Sequence, residues 1–296
     1  MNKSTLFSCL LLAMLTASGL FAQTFNISLK AVLEGPYNGT EMDTWLNSGN
    51  HLPLQQPYSV APWNYPGAEN VVAIPNADVV DWVLVQIRET PGGASTAYQE
   101  TAIATQACFM LKNGQIVSLD GVSPLQVNYA VNHKLYAVLY HRNHLSVMSG
   151  NELNLNGNLY EYDFSTGVDQ VYGGVTAHKQ VAPGIWGMAS GDGNGDGQVN
   201  NIDKNEVWVL QAGFSGYLQG DFDMNGQVNN IDKIDHWIVN GGRSSQVVGG
   251  WICGKPIPDF EGNLYNTILI GAQCWMEENL NIGTMISGST PQTGNG

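Results

Sequence analysis

Two stretches constrain this chain more than anything else in it: DGNGDGQVNNID from Asp192 to Asp203 and DFDMNGQVNNID from Asp221 to Asp232. They share the run GQVNNIDK, and each is followed by a tryptophan, Trp208 in one copy and Trp237 in the other. In both, oxygen-bearing side chains stand at positions one, three and five, a glycine at six and a carboxylate at twelve. That spacing lets a tight turn wrap oxygen atoms around one hard cation, with glycine relieving the sharpest bend. An Asp/Gly-rich surface linker, the plainer reading, gives no reason for the spacing to occur twice.

The expected ligands of the first loop are the side chains of Asp192, Asn194, Asp196 and Asp203, the Gln198 carbonyl at position seven, and Asn200 at position nine through water. In the second they are Asp221, Asp223, Asn225 and Asp232, with the Gln227 carbonyl and Asn229. Each loop carries three carboxylates, whose repulsion is roughly 1 to 4 kcal/mol per close pair between bulk-water and surface dielectric, and a divalent ion removes it. Two Ca2+ ions are the expected cofactors, since a flexible loop with many oxygens suits calcium better than the smaller magnesium.

The remaining features set the context. After Lys3 the apolar run LFSCLLLAMLTASGLF leads to Ala22, which reads as a secretory signal peptide cut near Ala22, with Leu20 three residues before the cut. A lipid anchor on Cys9 is disfavoured because that cysteine comes too early in the run. The expected location is secreted or on the outer cell surface, and no later stretch is long and apolar enough to span a membrane. A formal net charge of -14 leaves no basic stripe for phosphates, which excludes a nucleic-acid partner. Cys253 and Cys274 share one small segment and form the candidate disulfide, while Cys108, inside ACFML, is expected to be a buried thiol.

Residues 23–190 alternate in short runs between turn signals, and the 35 glycines and 12 prolines of the chain favour many turns over long helices. In VVDWVLVQIRE, Asp81, Val83, Val85 and Ile87 face one way and Trp82, Leu84, Gln86 and Arg88 the other, as in a strand near the middle of a sheet. ACFMLKNGQIVSLDG reads as a hairpin turning at Asn113 and Gly114. LQVNYAV, KLYAVLYHRNHLSVMS, NLYEYDFS and FNISLKAVLEG bring the count to about seven strands, which fits a two-layer antiparallel β-sandwich. Through VVDWVLVQIRE, LDGVSPL, YHRNHLSVMS and IWGMASGDGNGDG this region resembles a domain of exported Bacteroidetes-type proteins, which implies export and architecture but no activity.

The tandem repeat over 191–242 resembles type I dockerins. Their units run loop then helix without the leading helix of an ordinary EF-hand, and close the loop with Asp, as Asp203 and Asp232 do. The resemblance implies a small α pair that binds calcium. In dockerins, positions ten and eleven help recognise a cohesin; here they are Asn201 with Ile202 and Asn230 with Ile231, a pair that points to no particular cohesin class. Ile231, Ile234 and Ile238 form one apolar helix face beside Trp237, and Ile202, Trp208 and Val209 form a rougher one interrupted by Asn205 and Glu206. Packed face to face, the two units would bury both tryptophans. After a linker at 243–250, residues 251–296 resemble the start of the Fibrobacter succinogenes major paralogous domain through DFEGNLYNTILIGAQCWMEENL, which implies an incomplete C-terminal domain.

Catalytic constellations are weak. His141 and His144, three apart on an expected strand, would point to opposite faces, and Glu161 with Asp163 reads as a strand face. Tyr58, Trp63 and Tyr65 in PYSVAPWNYPG suit packing at the end of the sandwich, with sugar stacking as the alternative. There is no GxSxG elbow and no phosphate loop. The chain therefore reads as a non-enzymatic, secreted or cell-surface, calcium-binding modular protein with a structural, adhesive or assembly role and an extracellular protein or glycan as partner. The alternative is a non-catalytic component of an extracellular polysaccharide-degrading system that docks to a cohesin-like partner or binds glycan.

Overall fold

One strand sets the frame of the β region. In β2 (Val79–Thr90) nearly every side chain is buried, because β3 (Ala102–Leu111) and β6 (Lys134–Tyr140) pair with its two edges and both faces are covered. Its run of Val and Ile suits such a doubly packed position. The computed structural model describes residues 23–249, 256–258, 263–270 and 273–279. The other strands here are β1 (Gln23–Lys30), β4 (Gln115–Val117), β5 (Leu125–Tyr129), β7 (Val147–Met148), β8 (Asn154–Asn156) and β9 (Leu159–Asp163).

These strands form one sheet in the order β7-β6-β2-β3-β4-β1-β9-β8, with β5 also paired to β1. The fold is mainly β, as expected, but the sheet is continuous and curls into a half-barrel instead of dividing into a two-layer sandwich. Nor is it wholly antiparallel, since β1 and β9 run parallel. Two local causes bend it. Register shifts between Val79 and Asp81 and between Ile87 and Arg88 bulge the β2–β3 pair and strengthen its twist. One edge of β1 is also divided between β5, along 23–27, and β4, at Leu29 and Lys30. In place of a second sheet, the irregular segment 31–58 supplies Leu33, Met42, Leu46, Leu52 and Tyr58 to the main core with Trp82 and Phe109, and a smaller cluster gathers Ala94, Ala97, Tyr136, Val138 and Met148.

The β3–β4 hairpin is present, with Phe109 opposite Val117 and Met110 opposite Ile116. Its loop has three residues instead of two. The Gly114 N–H returns to the Leu111 carbonyl at 2.8 Å, and Gly114 takes the left-handed backbone (φ 88) that Asn113 does not.

A separate hairpin of β10 (His178–Ala182) and β11 (Ile185–Met188) delivers the chain to Asp192. Helices follow over 201–211 and 230–240, their central turns Asp203–Trp208 and Asp232–Trp237 wound as π-helix directly after each loop. In the tail Ile257–Pro258 pairs with Leu264–Tyr265, and Thr267–Ile270 with Gln273–Met276. The signal segment and Cys253 lie outside the described residues, and with them the candidate disulfide. Cys108 is a buried free thiol. Among the described residues no helix is long and apolar enough to cross a membrane.

Candidate metal centre

The two loops turn their first and last carboxylates inward: Asp192, Asp203, Asp221 and Asp232 are buried. In the second loop Asp221, Asp223 and Asp232 offer oxygens that all lie within 4.8 Å of one another. Backbone N–H groups hold them there. Asn225 and Gly226 donate to Asp221, Phe222 and Asp223 to Asp232 Oδ1, and Asn229 to Asp232 Oδ2 at 2.7 Å. The first loop repeats the scheme, with Gly197 donating to Asp192 Oδ2, Asn194 to Asp203 Oδ1 and Asn200 to Asp203 Oδ2. It is more open, because Asp196 is exposed and its carboxylate accepts from the Gln198 N–H and the Asn194 amide. The structure thus gathers three carboxylates in the second loop and two, Asp192 and Asp203, in the first.

Position six needs glycine for a physical reason, since Gly197 and Gly226 sit at φ 83 and 86, a left-handed backbone that other residues adopt only with strain. Position four is left-handed too. Gly195 meets that requirement in the first loop, whereas Met224 accepts it in the second while burying its side chain in the core.

Three observations test the fit of a hard cation. The buried Asp192 Oδ1 has no hydrogen-bond partner. At position seven, the carbonyls on either side are engaged: Gly197 and Val199 accept from Ser245 and Gly242, and Gly226 and Val228 from Gly216 and Gly213. The Gln198 and Gln227 carbonyls between them accept no hydrogen bond from the backbone among the described residues, which leaves both available to an ion. The donor set is oxygen throughout, which fits calcium and not a soft metal.

The electrostatics agree. Burial pushes the Asp192 carboxyl well above its ordinary range, with Asp203 and Asp196 adding repulsion, and burial likewise raises Asp203. In the second loop burial lifts Asp223 to about 7 and Asp221 and Asp232 to about 6. A cation here must displace protons, so its affinity falls as pH drops through this range.

The repeats are locked reciprocally. Trp208 of the first helix donates from Nε1 to the Asn229 carbonyl of the second loop at 2.9 Å, and Trp237 of the second donates to the Asn200 carbonyl of the first at 2.7 Å. Lys233 lies over the Trp208 ring and Lys204 over that of Trp237. Val199 pairs with the chain after the second helix, and Val228 with the chain after the first. Each loop is therefore held by its twin's helix.

Residues outside the repeat fix it to the sheet, and the sequence reading missed them. Arg142 donates from Nε to Asp81 Oδ2 at 2.9 Å and from Nη1 to the Leu218 carbonyl, and its guanidinium lies 4.2 Å from the Tyr217 ring centre. Tyr217 donates to Asp81 Oδ1 at 2.7 Å, and Asn143 donates to the Asp221 carbonyl at 2.6 Å. On the first loop's approach, Glu34 accepts from the Ser190 N–H and from Asn240, which closes the second helix. The missed signal was the polar residues themselves: Asp81 interrupts an apolar strand and HRNH follows another, and buried charges require partners.

Two expectations change. His141 and His144 do not point apart, because β6 ends at Tyr140 and the turn beyond it brings their rings to a centroid distance of 4.9 Å. The isoleucine faces of the helices do not pack inward; Ile202, Ile231, Ile234 and Ile238 are 43–55% exposed and the tryptophans half-buried. Asp203 with Val207, and Asp232 with Asn240, take the inward face, since the last carboxylate of each loop must reach its interior. The linker is laid against the molecule: Ser244 and Ser245 donate backbone N–H groups to Thr176 and Gly197. Asp163 is engaged structurally, accepting from Ser165 and lying 3.4 Å from Lys30.

No family model matches the chain, and no curated protein does. Among solved structures the chain is similar to an interface mutant of a type II cohesin-X-dockerin complex from Acetivibrio cellulolyticus, at 11% identity and a TM-score of 0.33 over 75% of this chain and 95% of that one, a likeness too slight to carry an argument.

Proposed function

We propose that this chain is an exported, calcium-binding modular protein in which one Ca2+ in each loop locks the dockerin-like repeat onto the β region, in a structural, adhesive or assembly role outside the cell. The observation that carries the reading is the second loop, where three buried carboxylates converge with backbone N–H groups already turned to orient them. Reciprocal capping supports a constitutive joint over a switch: ordering one loop orders its twin, and steady extracellular calcium leaves little to sense. Terbium tests it through the two tryptophans. Excited at the indole band, the metal-free chain with Tb3+ gives sensitised emission that calcium quenches; Trp208→Phe and Trp237→Phe each remove part of it. Absence of sensitised emission contradicts the reading.

The outward isoleucines support a second reading, docking to a cohesin-like protein in a polysaccharide-degrading system. Exposed apolar side chains recur on both helices, with Val209, Leu210 and Val239 beside the isoleucines, and contiguous apolar surface of this kind marks interaction sites. Calcium-dependent capture by a cohesin panel, lost in Ile234→Asp, is the expected result. Silence across the panel removes this reading and leaves the first intact.

A further inference from the structure

A cleft of about 720 Å³ opens where the Trp63–Tyr65 loop, the polar end of β2 and the first metal loop meet. Its size lies in the range of small-ligand sites, roughly 300–1,000 Å³. Trp63 and Tyr65 form one wall. Both are held before any ligand arrives: Trp63 stands edge-on to the buried Tyr58, with ring centres 5.2 Å apart, and the Tyr65 hydroxyl donates its one proton to Glu69, with the Thr105 carbonyl also 3.0 Å away.

The floor is polar where the strand pattern calls for apolar residues. The β2 face that begins with Trp82 and Leu84 changes to Gln86 and Arg88 as it passes under the cleft. Buried Arg88 donates from Nε to Gln86 Oε1 at 2.7 Å and from Nη2 to the Tyr140 hydroxyl at 2.9 Å. Because Gln86 Oε1 accepts from a guanidinium, the orientation of the amide is settled and its N–H2 end is left to face Thr105. The floor and rim therefore present the second N–H of the Gln86 amide and the Thr105 hydroxyl, with the Tyr140 hydroxyl held between Arg88 and Gln86, and exposed Gln99 stands at the rim.

We infer that this cleft binds a neutral oligosaccharide. An aromatic wall takes the C–H face of a sugar ring, and amides and hydroxyls match hydroxyl groups, which both donate and accept. Acidic sugars are disfavoured: Arg88 is fully buried with four of its five N–H donors engaged by Gln86, Tyr140, Ala97 and Val248, and among the described residues the lining holds no exposed cation to pair with an acid group. The first loop backs the aromatic wall directly, for a Cβ on Gly195 would lie 2.8 Å from Trp63 Cζ2 and 2.9 Å from Pro62 Cγ. Calcium in that loop fixes the wall, so sugar affinity depends on calcium; this coupling rests on the proposed calcium reading.

Calorimetry of the full calcium-loaded chain against β-1,4-linked hexasaccharides of glucose, xylose and mannose, a polygalacturonate hexamer and a proline-rich peptide tests the inference. Binding to at least one neutral hexasaccharide is expected, weakened roughly tenfold or more by Trp63→Ala, partly restored in Trp63→Phe, and reduced by chelator. Gln99→Ala, at an exposed position outside the core, weakens it to a lesser degree. No neutral hexasaccharide bound, binding confined to the acidic hexamer or the peptide, or affinity unchanged in both Trp63→Ala and Gln99→Ala overturns it. The two readings fail separately: two calcium ions bound with no sugar heat removes this inference alone, and sugar heat without calcium heat removes the calcium reading and the coupling.

Discussion

Replacing Asp81 with alanine is expected to destabilise the chain by about 3–5 kcal/mol, the usual range for removing one partner of a buried ion pair. Asp81 has no solvent exposure, and it is the point where the sheet and the repeat meet: Arg142 and Tyr217 both bond to it, and Arg142 reaches on to the Leu218 carbonyl just before the second loop. Without it the Arg142 charge is buried and unpaired. The double variant Asp81→Leu with Arg142→Leu is expected to lose less than Asp81→Ala alone, because no orphaned charge remains. Urea unfolding reads both, and a loss under about 1 kcal/mol for Asp81→Ala would mean the pair does not anchor the repeat.

The same pair has a pH signature. Burial alone would raise the Asp81 carboxyl, but Arg142 and His141 outweigh it and hold the group below its ordinary value. A depressed carboxylate contributes stability that is present above the unfolded value, about pH 4, and is lost as pH falls through the lower folded value. Acid unfolding of the wild type should therefore steepen below about pH 4, and Asp81→Ala should lack that component.

How much of this could be read from the chain depended on whether the signal was local. The loops were legible because ligand spacing is a property of consecutive residues, and the hairpin at Gly114 was legible for the same reason. The strand faces of VVDWVLVQIRE followed from period two. What failed was non-local. A single curled sheet and a two-layer sandwich use the same alternating strands, and the difference lies in bulges at Asp81 and Arg88 and in the parallel β1–β9 pair, none of which alternation reveals. The inward direction of each helix also misled, since three isoleucines at helical spacing look like a core face, yet Asp203 and Asp232 must point inward from the first turn and rotate the isoleucines out. HRNH continues the alternating run of its strand in sequence, and its partners, Asp81 and the second loop, are distant along the chain.

Removing calcium should have an effect as large as losing Asp81. A ligand that binds the folded state at a hundredfold over its Kd contributes about 2.7 kcal/mol, so two such sites contribute about 5. For a domain of this size each kcal/mol moves the melting temperature by about 2–4 °C, giving a fall of about 10–20 °C in chelator. The cause is specific: stripped of ions, Asp221, Asp223 and Asp232 must crowd charges within 4.8 Å or take up protons, and Asp192 Oδ1 remains buried without a partner. Because each tryptophan caps the opposite loop, the loss is expected to be cooperative, with one transition for both loops. Calorimetric titration of calcium into the metal-free chain, followed by melting of the same sample, tests this most directly. Two ions per chain and a recovered melting temperature are predicted; no heat and an unchanged melting curve would contradict the account.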